Sequence, residues 1–173
     1  PDNKNCLNNY GGVLAGVGDH EAALDAYERA IKVDEGYQDA WANKAYSLWN
    51  LERYAESEEA SMKLLELDPK NKAGLNSLGV ARARLLRFEE AYEAWEKVTE
   101  LYPEDPSGWI NWGNALREAG HLKEAKEKCQ KACEVAPDNP EALNNLANAL
   151  RDLGEVDEAV KMYRKATNEK PNY

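Results

Sequence analysis

The chain has 173 residues, of which 43% are hydrophobic, and a formal net charge of −10 from 22 Lys and Arg against 32 Asp and Glu. This length and composition allow one domain with a hydrophobic core and exclude a disordered tail. The acidic excess disfavours nucleic acid and anionic membrane surfaces as partners, because both require a cationic footprint. No apolar run approaches the roughly 20 residues that a bilayer span needs, so we expect no membrane insertion.

The first residues, PDNKNCLNNYGG, contain neither the basic nor the apolar segment of a signal peptide. They also lack an initiator Met, so we expect a fragment of a longer chain or a processed protein. The three cysteines are an odd number at spacings that suggest no disulfide framework. Reduced cysteines favour a reducing compartment, and we predict a cytoplasmic location.

A repeat of 34 residues organises the whole chain. Glu35 holds, in the first unit, the place that proline holds in the other four, namely Pro69, Pro103, Pro137 and Pro171. The units begin near Lys4, Gln38, Lys72, Pro106 and Pro140. We therefore predict a single repeat domain over residues 1–173.

Each unit carries two apolar stripes at spacings of three and four, which predict two helices. Short breaks such as GDH and AGH separate the stripes, and the proline ends the second helix because it cannot continue the hydrogen-bond ladder. Small residues at two places would let the two helices approach closely. The fourth place holds Leu7, Trp41, Leu75, Trp109 and Leu143; the eighth holds Gly11, Ala45, Gly79, Gly113 and Ala147; the twentieth holds Ala23, Ser57, Ala91, Ala125 and Ala159.

In chain order, the second unit departs most from this pattern. Lys44 stands where an apolar residue is expected, and Ser57 and Ser61 replace alanine and an aromatic residue. We expect this unit to be the least tightly packed. The third unit carries Arg82 at the eleventh place, where the other units carry leucine. The glycines that we assign to turns are Gly18, Gly120 and Gly154.

These residues resemble the tetratricopeptide repeat (TPR), whose signature is Trp/Leu, Leu-Gly, Tyr/Leu, Gly, Ala, Tyr/Phe, Ala and Pro at these places. The resemblance covers essentially the whole chain and is closest in WINWGNALREAGHLKEAKEKCQKACEVAP and LNNLANALRDLGEVDEAVKMYRKATNEKP. It implies an all-α fold, a right-handed α-solenoid of five helix-turn-helix hairpins. It also implies that the second, fifth, sixth, ninth, twelfth and thirteenth places line a concave groove.

Asparagine recurs at the sixth place although it is a poor helix former. The sixth places are Asn9, Asn43, Ser77, Asn111 and Asn145. Neighbouring helices pack about 8–10 Å apart and an extended peptide advances about 3.3 Å per residue, so one asparagine would meet roughly every third peptide residue. Its carboxamide suits both the N–H and the C=O of a peptide backbone. We predict an asparagine ladder that binds a peptide, similar to the one in the TPR arm of O-linked N-acetylglucosamine transferase. The alternative is a tolerated surface residue, or one bonded to the neighbouring helix.

Such a ladder needs further contacts. Four neutral hydrogen bonds net roughly 2–6 kcal/mol, and association costs on the order of 4–15 kcal/mol. Tyr46 and Trp49, at the ninth and twelfth places beside Asn43, are candidate aromatic anchors. The alternative is that both rings pack across to the next hairpin.

A second candidate pocket contains two arginines one repeat apart. Arg117 and Arg151 share the twelfth place and could bind an acidic side chain or a carboxylate. The alternative is pairing with a local acid such as Glu118 or Asp152. Two further asparagines, at the ninth place, complete this candidate site, Asn114 and Asn148.

No catalytic, cofactor or metal site is expected. The two histidines, His20 and His121, lie at hairpin turns far apart in the chain. Cys129 and Cys133 share a helix face but occupy core places without further ligands nearby, so we expect them to be structural. The acidic excess lies mostly on second helices such as RYAESEEASMKLLE, where we expect a solvated outer face.

We therefore predict a protein–protein interaction module that binds an extended or helical peptide and is not an enzyme by itself. One alternative is the substrate-selecting arm of a larger enzyme such as a glycosyltransferase. Another is a scaffold that forms a homo-oligomer through its ends, with Leu153 and Val160 as candidates for an exposed end. The fifth places contain no lysine, so the two-carboxylate clamp of chaperone-binding TPR proteins is not expected.

Overall fold

The computed structural model describes residues 3–169, with side chains through residue 167. Within that range the chain forms ten α-helices and no strand, which confirms the all-α prediction. Pro171, the last of the repeated prolines, lies outside the described residues. In chain order the helices are α1 Lys4–Gly16, α2 His20–Val33, α3 Gln38–Asn50, α4 Tyr54–Leu67, α5 Lys72–Arg84, α6 Phe88–Leu101, α7 Ser107–Glu118, α8 Leu122–Val135, α9 Pro140–Asp152 and α10 Val156–Glu169.

The chain divides into two compact units, the first ending at Arg87 and the second beginning at Phe88. The first unit holds the hairpins α1–α2 and α3–α4, followed by α5. The second unit holds α6, followed by the hairpins α7–α8 and α9–α10. The single continuous domain over residues 1–173 stays a prediction.

Polar caps and left-handed turns set the helix boundaries. The side chains of Asn3, Asp19, Asn71 and Asn139 accept hydrogen bonds from backbone N–H groups of α1, α2, α5 and α9, which satisfies groups without an intrahelical partner. The fifteenth place of each repeat has a positive φ, which glycine adopts readily. It holds Gly18 (φ 85°), Glu52 (59°), Leu86 (62°), Gly120 (86°) and Gly154 (83°).

Within each unit, core clusters join consecutive hairpins. In the first unit, Ile31 of α2 packs with Leu7 of α1 and Ala40 of α3. In the second unit, Cys129 of α8 clusters with Leu150 of α9 and with Ala159 of α10. This arrangement is the one expected for stacked repeats.

The two helices of a hairpin approach closely at the eighth place in the first and fourth repeats. A Cβ added to Gly11 would lie 2.5 Å from Cε1 of the buried Tyr27 ring, and one added to Gly113 would lie 2.7 Å from Sγ of Cys129. In the second hairpin the eighth place is Ala45, and Ser61 replaces the aromatic residue. At Gly11 and Gly113 the facing side chain of the second helix thus leaves no room for a Cβ.

Hairpin α3–α4 buries hydroxyl groups where its neighbours bury apolar atoms. Ser57 Oγ donates to the carbonyl oxygen of Ala45 at 2.8 Å, and Ser61 Oγ donates to the carbonyl oxygen of Ser57 at 2.8 Å. Lys44 stays at the surface, where its ammonium pairs with Glu28 at 2.9 Å. The hydroxyl groups of Ser57 and Ser61 and the Lys44 ammonium thus have partners, and the looser packing of this hairpin stays a prediction.

The expectation of a solvated acidic face on α4 is wrong at one position. Glu56, Glu59 and Glu66 are exposed, but Glu58 is buried. Its carboxylate accepts hydrogen bonds from Arg82 Nε at 2.9 Å and from Arg87 Nη1 at 2.7 Å. The unusual arginine at the eleventh place of the third repeat explains the burial, because it supplies the counter-charge.

Candidate interaction surface

The first helices of successive repeats touch each other within each unit: α1 contacts α3, α3 contacts α5, and α7 contacts α9. Their sixth places differ in what they contact. Asn43 is half-buried, and its Nδ2 donates to Oδ1 of Asn8 at 2.9 Å. Asn8 lies at the fifth place of α1 and is only 8% exposed. Asn43 thus makes the bond to a neighbouring helix that the sequence left open as an alternative.

The other sixth-place asparagines are in different environments. Asn9 is exposed, and Asn111 is half-buried with an interaction of its own. Asn145 is half-buried, and its carboxamide makes no hydrogen bond within residues 3–169. The preceding first helix carries Ile110 at the fifth place, where α1 carries Asn8. An isoleucine side chain offers no acceptor, so the Asn145 carboxamide keeps its hydrogen-bonding capacity.

Tyr46 and Trp49 form an aromatic pair on α3. Their ring centroids lie 6.5 Å apart with an interplanar angle of 26°, and Tyr46 is 57% exposed. His20, the first residue of α2, approaches the Tyr46 ring edge-on at 6.1 Å. The buried indole Nε1–H of Trp49 has no acceptor among the described residues. The sequence did not indicate His20 as part of this cluster, because its contact depends on how α2 packs against α3.

Arg117 and Arg151 converge on a single carboxylate. Nη1 of Arg117 donates to Oδ2 of Asp152 at 3.1 Å, and Nη2 of Arg151 donates to Oδ1 at 2.9 Å. The hydrogen bond from Arg151, followed by that from Arg117, holds the pKa of Asp152 below its usual range. Pairing with a local acid, the alternative for both arginines, is therefore present. Two guanidinium groups share one carboxylate, which leaves one positive charge in excess.

The two ninth-place asparagines belong to the same network. Oδ1 of Asn114 accepts from Arg117 Nη2 at 3.3 Å, and Oδ1 of Asn148 accepts from the Tyr163 hydroxyl at 2.7 Å. Arg151 Nη1 also lies 3.4 Å from the Tyr163 hydroxyl. The Tyr163 hydroxyl could be assigned to this network only from the packing of α10 against α9. Four predicted residues, namely Asn114, Arg117, Asn148 and Arg151, thus form one continuous polar surface.

Other features of the described residues bear on chemistry. Burial raises the pKa of the Cys129 thiol to about 12 and that of Cys133 to about 11, so both are protonated thiols at neutral pH. Between residues 3 and 169 no group of three or more His, Cys, Asp or Glu side chains is arranged to hold a metal ion. In the same range no helix has both the length and the apolar character needed to cross a membrane.

Comparison with known proteins identifies the repeat. Sequence models of the tetratricopeptide repeat match residues 13–72, 44–108, 76–134 and 116–173. The chain belongs to the tetratricopeptide repeat family. Small glutamine-rich tetratricopeptide repeat-containing protein 2 of Mycosarcoma maydis is 27% identical over 85 residues, which are 49% of this TPR chain and 24% of that protein. An uncharacterized protein of Methanocaldococcus jannaschii is 41% identical over 51 residues, or 30% of this chain and 59% of that one. The chain thus spans less than two thirds of either relative.

Solved structures share the fold over nearly the whole chain. TTC0263, a thermophilic TPR protein of Thermus thermophilus, superposes with a TM-score of 0.85 at 23% identity, and the match covers 98% of this chain and 92% of that one. YrrB, described as a TPR protein with an unusual peptide-binding site, gives a TM-score of 0.64 at 23% identity, covering 96% and 86%. These likenesses show the fold alone. The TPR fold supports a protein–protein interaction module.

Proposed function

We propose that this TPR chain binds an extended or helical segment of a partner protein through side chains of its first helices. The proposal rests above all on the network of Arg117 and Arg151 around Asp152, in which two guanidinium groups share one carboxylate. Charge and free hydrogen-bonding groups on one surface suit a peptide better than an apolar ligand.

The arginines would bind an acidic side chain or a terminal carboxylate of the partner. A guanidinium group binds carboxylates through a planar fork of donors. Arg151 presents much of this fork to solvent, since its side chain is 55% exposed, while that of Arg117 is 26% exposed. Asp152 already orients both groups, so less side-chain entropy is lost when a partner carboxylate arrives.

The partner's backbone and its apolar side chains would use other residues. Asn145, as part of the proposed asparagine ladder, would bond a peptide N–H or C=O. In the first unit, the exposed Tyr46 ring on Trp49 would serve as an anchor for an apolar or aromatic side chain.

The experiment compares Asn145→Ala with Asn43→Ala against acidic peptides selected from a displayed library on the wild-type chain. Asn145→Ala is expected to weaken peptide affinity about fivefold with unchanged stability, because one neutral hydrogen bond nets about 1 kcal/mol. Asn43→Ala is expected to lower stability by about 1 kcal/mol, because it leaves Oδ1 of the buried Asn8 without its donor. Affinity by fluorescence anisotropy and stability by urea unfolding separate these outcomes. Unchanged affinity in Asn145→Ala would remove the ladder from the proposal.

A second comparison tests the carboxylate contact. Arg151→Ala is expected to weaken binding of the same peptides and to reduce the salt dependence of that binding. Arg151→Lys should recover only part of the affinity, because lysine lacks the planar fork of donors. Peptides in which Asp and Glu are replaced by Asn and Gln should not distinguish wild type from Arg151→Ala. Equal losses for acidic and neutral peptides would contradict the contact.

End-to-end self-association is a second candidate, favoured by the exposed apolar side of α1. Tyr10, Val13 and Val17 are 57%, 67% and 76% exposed. At the same repeat places of α9, Leu146 and Ala149 are buried against α8 and Leu153 is half-buried. The occupant that we propose for this side of α1 is α10 of a second copy, whose Val156 and Val160 are 57% and 40% exposed.

Light scattering over a range of concentrations tests this candidate. Association that grows with concentration and is abolished by Val13→Asp and by Val160→Asp would support it. A strict monomer, or association that survives both substitutions, would remove it.

A further inference from the structure

A tryptophan occupies the fourth place of two repeats, Trp41 on α3 and Trp109 on α7, and the two rings have different neighbours. In the second unit, the Trp109 and Trp112 rings stack 6.0 Å apart at an interplanar angle of 4°. The ammonium of Lys128 lies 3.6 Å from the Trp112 centroid and 5.4 Å from the Trp109 centroid. Both distances are within the roughly 6 Å at which the ring quadrupole attracts a cation. Here α8 supplies the cation that covers the tryptophans.

In the first unit α4 carries no lysine at the corresponding place, and the cation near the tryptophan is Lys44 of α3, whose ammonium lies 5.7 Å from the Trp41 centroid. Lys128 stands at the twenty-third place of its repeat, and the twenty-third place of the second repeat is Ala60. A pocket of about 380 Å³ lies there, with Trp41, Lys44 and Ala60 in its wall. These three residues hold the fourth, seventh and twenty-third places, as Trp109, Trp112 and Lys128 do in the fourth repeat. The pocket therefore occupies the volume that the Lys128 side chain fills in the other unit.

The charge of the pocket favours a cation. Its wall contains three glutamates, Glu56, Glu59 and Glu66, and two lysines, Lys44 and Lys63. Four of these five charges are already compensated, because Lys44 pairs with Glu28, Glu56 pairs with Arg53, and Lys63 pairs with Glu66. Glu59 is exposed and makes no ion pair within residues 3–169. One carboxylate beside an indole ring is a suitable environment for an incoming ammonium group.

We infer that this pocket of the first unit, hereafter the Trp41 pocket, binds a lysine side chain of a protein partner. The inference is independent of the peptide surface proposed above. Because an α-helix has 3.6 residues per turn, the direction midway between the fourth and seventh places lies about 140° around α3 from the direction midway between the ninth and twelfth. The lysine methylenes would pack on Trp41, Ala60 and the exposed Met62, and the ammonium would lie near Glu59.

The test is a titration of N-acetyl-lysine methylamide into the ¹⁵N-labelled chain. We expect saturable shifts of the Trp41 indole N–H, which donates to the Glu35 carbonyl oxygen at 2.9 Å, and of the Ala60 amide. The norleucine analogue has a similar apolar chain without the charge, and we expect it to shift these signals much less. Equal shifts with norleucine would make the pocket merely apolar and overturn the inference. The absence of saturable shifts at both positions would also overturn it.

Two substitutions sharpen the titration. Glu59→Gln, at an exposed position, is expected to weaken the lysine compound roughly threefold at low salt, while Glu93→Gln makes the same charge change at the same repeat place of α6 and should have no effect. Ala60→Lys places in α4 the side chain that Lys128 supplies in α8 and should abolish the response. If that variant does not fold, Glu59→Gln still decides, because an unchanged affinity contradicts the role of its carboxylate.

Discussion

The first two hairpins of the chain, α1–α2 and α3–α4, have the same architecture and different interiors. Tyr27 fills the first hairpin beneath Gly11, and Ser61 with its hydroxyl bond lies beneath Ala45 in the second. The difference continues into the contacts with the following helix. Leu24 and Leu48 share one core cluster where α2 meets α3. One repeat later the same places hold the ion pair of Glu58 and Arg82.

The comparison teaches that the buried positions of the repeat stay the same from one hairpin to the next, while the residues at those positions can be apolar, hydroxyl-bearing or charged. The buried hydroxyl and carboxylate groups of the second hairpin are tolerated because each has a partner in its own helix or in a neighbouring one, whereas the buried indole N–H of Trp49 has no acceptor among the described residues. The loss of one partner leaves a cavity in an apolar pair and an uncompensated charge in a buried ion pair, and both are destabilising.

The largest effect is expected from Glu58→Ala. It removes the carboxylate that pairs with Arg82 and Arg87, and leaves the guanidinium of Arg82, whose side chain is 17% exposed, without this counter-charge. We expect the free energy of unfolding to fall by about 3 kcal/mol, measured by urea denaturation. The double variant Glu58→Leu/Arg82→Leu copies the Leu24 and Leu48 pair and should regain most of the loss. A double variant as unstable as the single one would show that the ion pair is not equivalent to the leucine pair.

Gly11→Ala is expected to have the next largest effect. The new methyl group would lie 2.5 Å from Cε1 of Tyr27, whose ring is buried, so the first hairpin would have to open. We expect the free energy of unfolding, measured by urea denaturation, to fall by about 2 kcal/mol. Gly12→Ala is the matched control in the same helix, because no atom lies within 4 Å of its added Cβ. The free energy of unfolding of that control should rise by about 0.5 kcal/mol, because alanine has the higher helix propensity. Equal changes in the two variants would contradict the close approach of Tyr27 to Gly11.

Glu52→Gly should stabilise the second hairpin. Glu52 has a φ of 59°, and the first hairpin has Gly18 at the same place with a φ of 85°. A residue with a Cβ loses roughly 1 kcal/mol in this region, which glycine does not. We expect a gain of about 1 kcal/mol, read from the thermal midpoint, and a loss of similar size for Gly18→Ala. A destabilised Glu52→Gly would mean that the unfolded-state entropy of glycine outweighs the strain.

Ser57→Ala is expected to have the smallest effect. The first hairpin has an alanine, Ala23, at the same repeat place. The substitution removes the hydroxyl that donates to the Ala45 carbonyl oxygen at 2.8 Å. The lost hydrogen bond, about 1 kcal/mol, is partly offset by the better helix propensity of alanine. A net loss of about 0.5 kcal/mol is expected by urea unfolding, and a loss above about 2 kcal/mol would indicate a structural role beyond that bond.

The 34-residue repeat in the sequence located most residues of the candidate surface. It predicted few of their hydrogen-bond partners. The sequence predicted that Arg117 and Arg151 share one place, and named Asp152 among their possible partners. It could not predict that one carboxylate serves both arginines, or that the Tyr163 hydroxyl reaches Asn148. It treated the sixth-place asparagines as equivalent, yet Asn43 bonds Asn8 while Asn145 faces a repeat with isoleucine at that place. The ladder, the ligand and the likeness to a glycosyltransferase arm stay predictions.

The order and type of the helices follow from local information. Apolar periodicity, caps and turn residues act within a few neighbours along the chain, and 34-residue spacing repeats them, so the helices and their turn glycines could be read directly. Which polar groups become partners depends on residues that are far apart along the chain, 16 residues for Lys44 with Glu28 and 24 for Glu58 with Arg82. Such groups come within hydrogen-bond distance only when the helices pack against one another. Only the packed helices therefore reveal the buried ion pair, the shared carboxylate and the pocket beside Trp41.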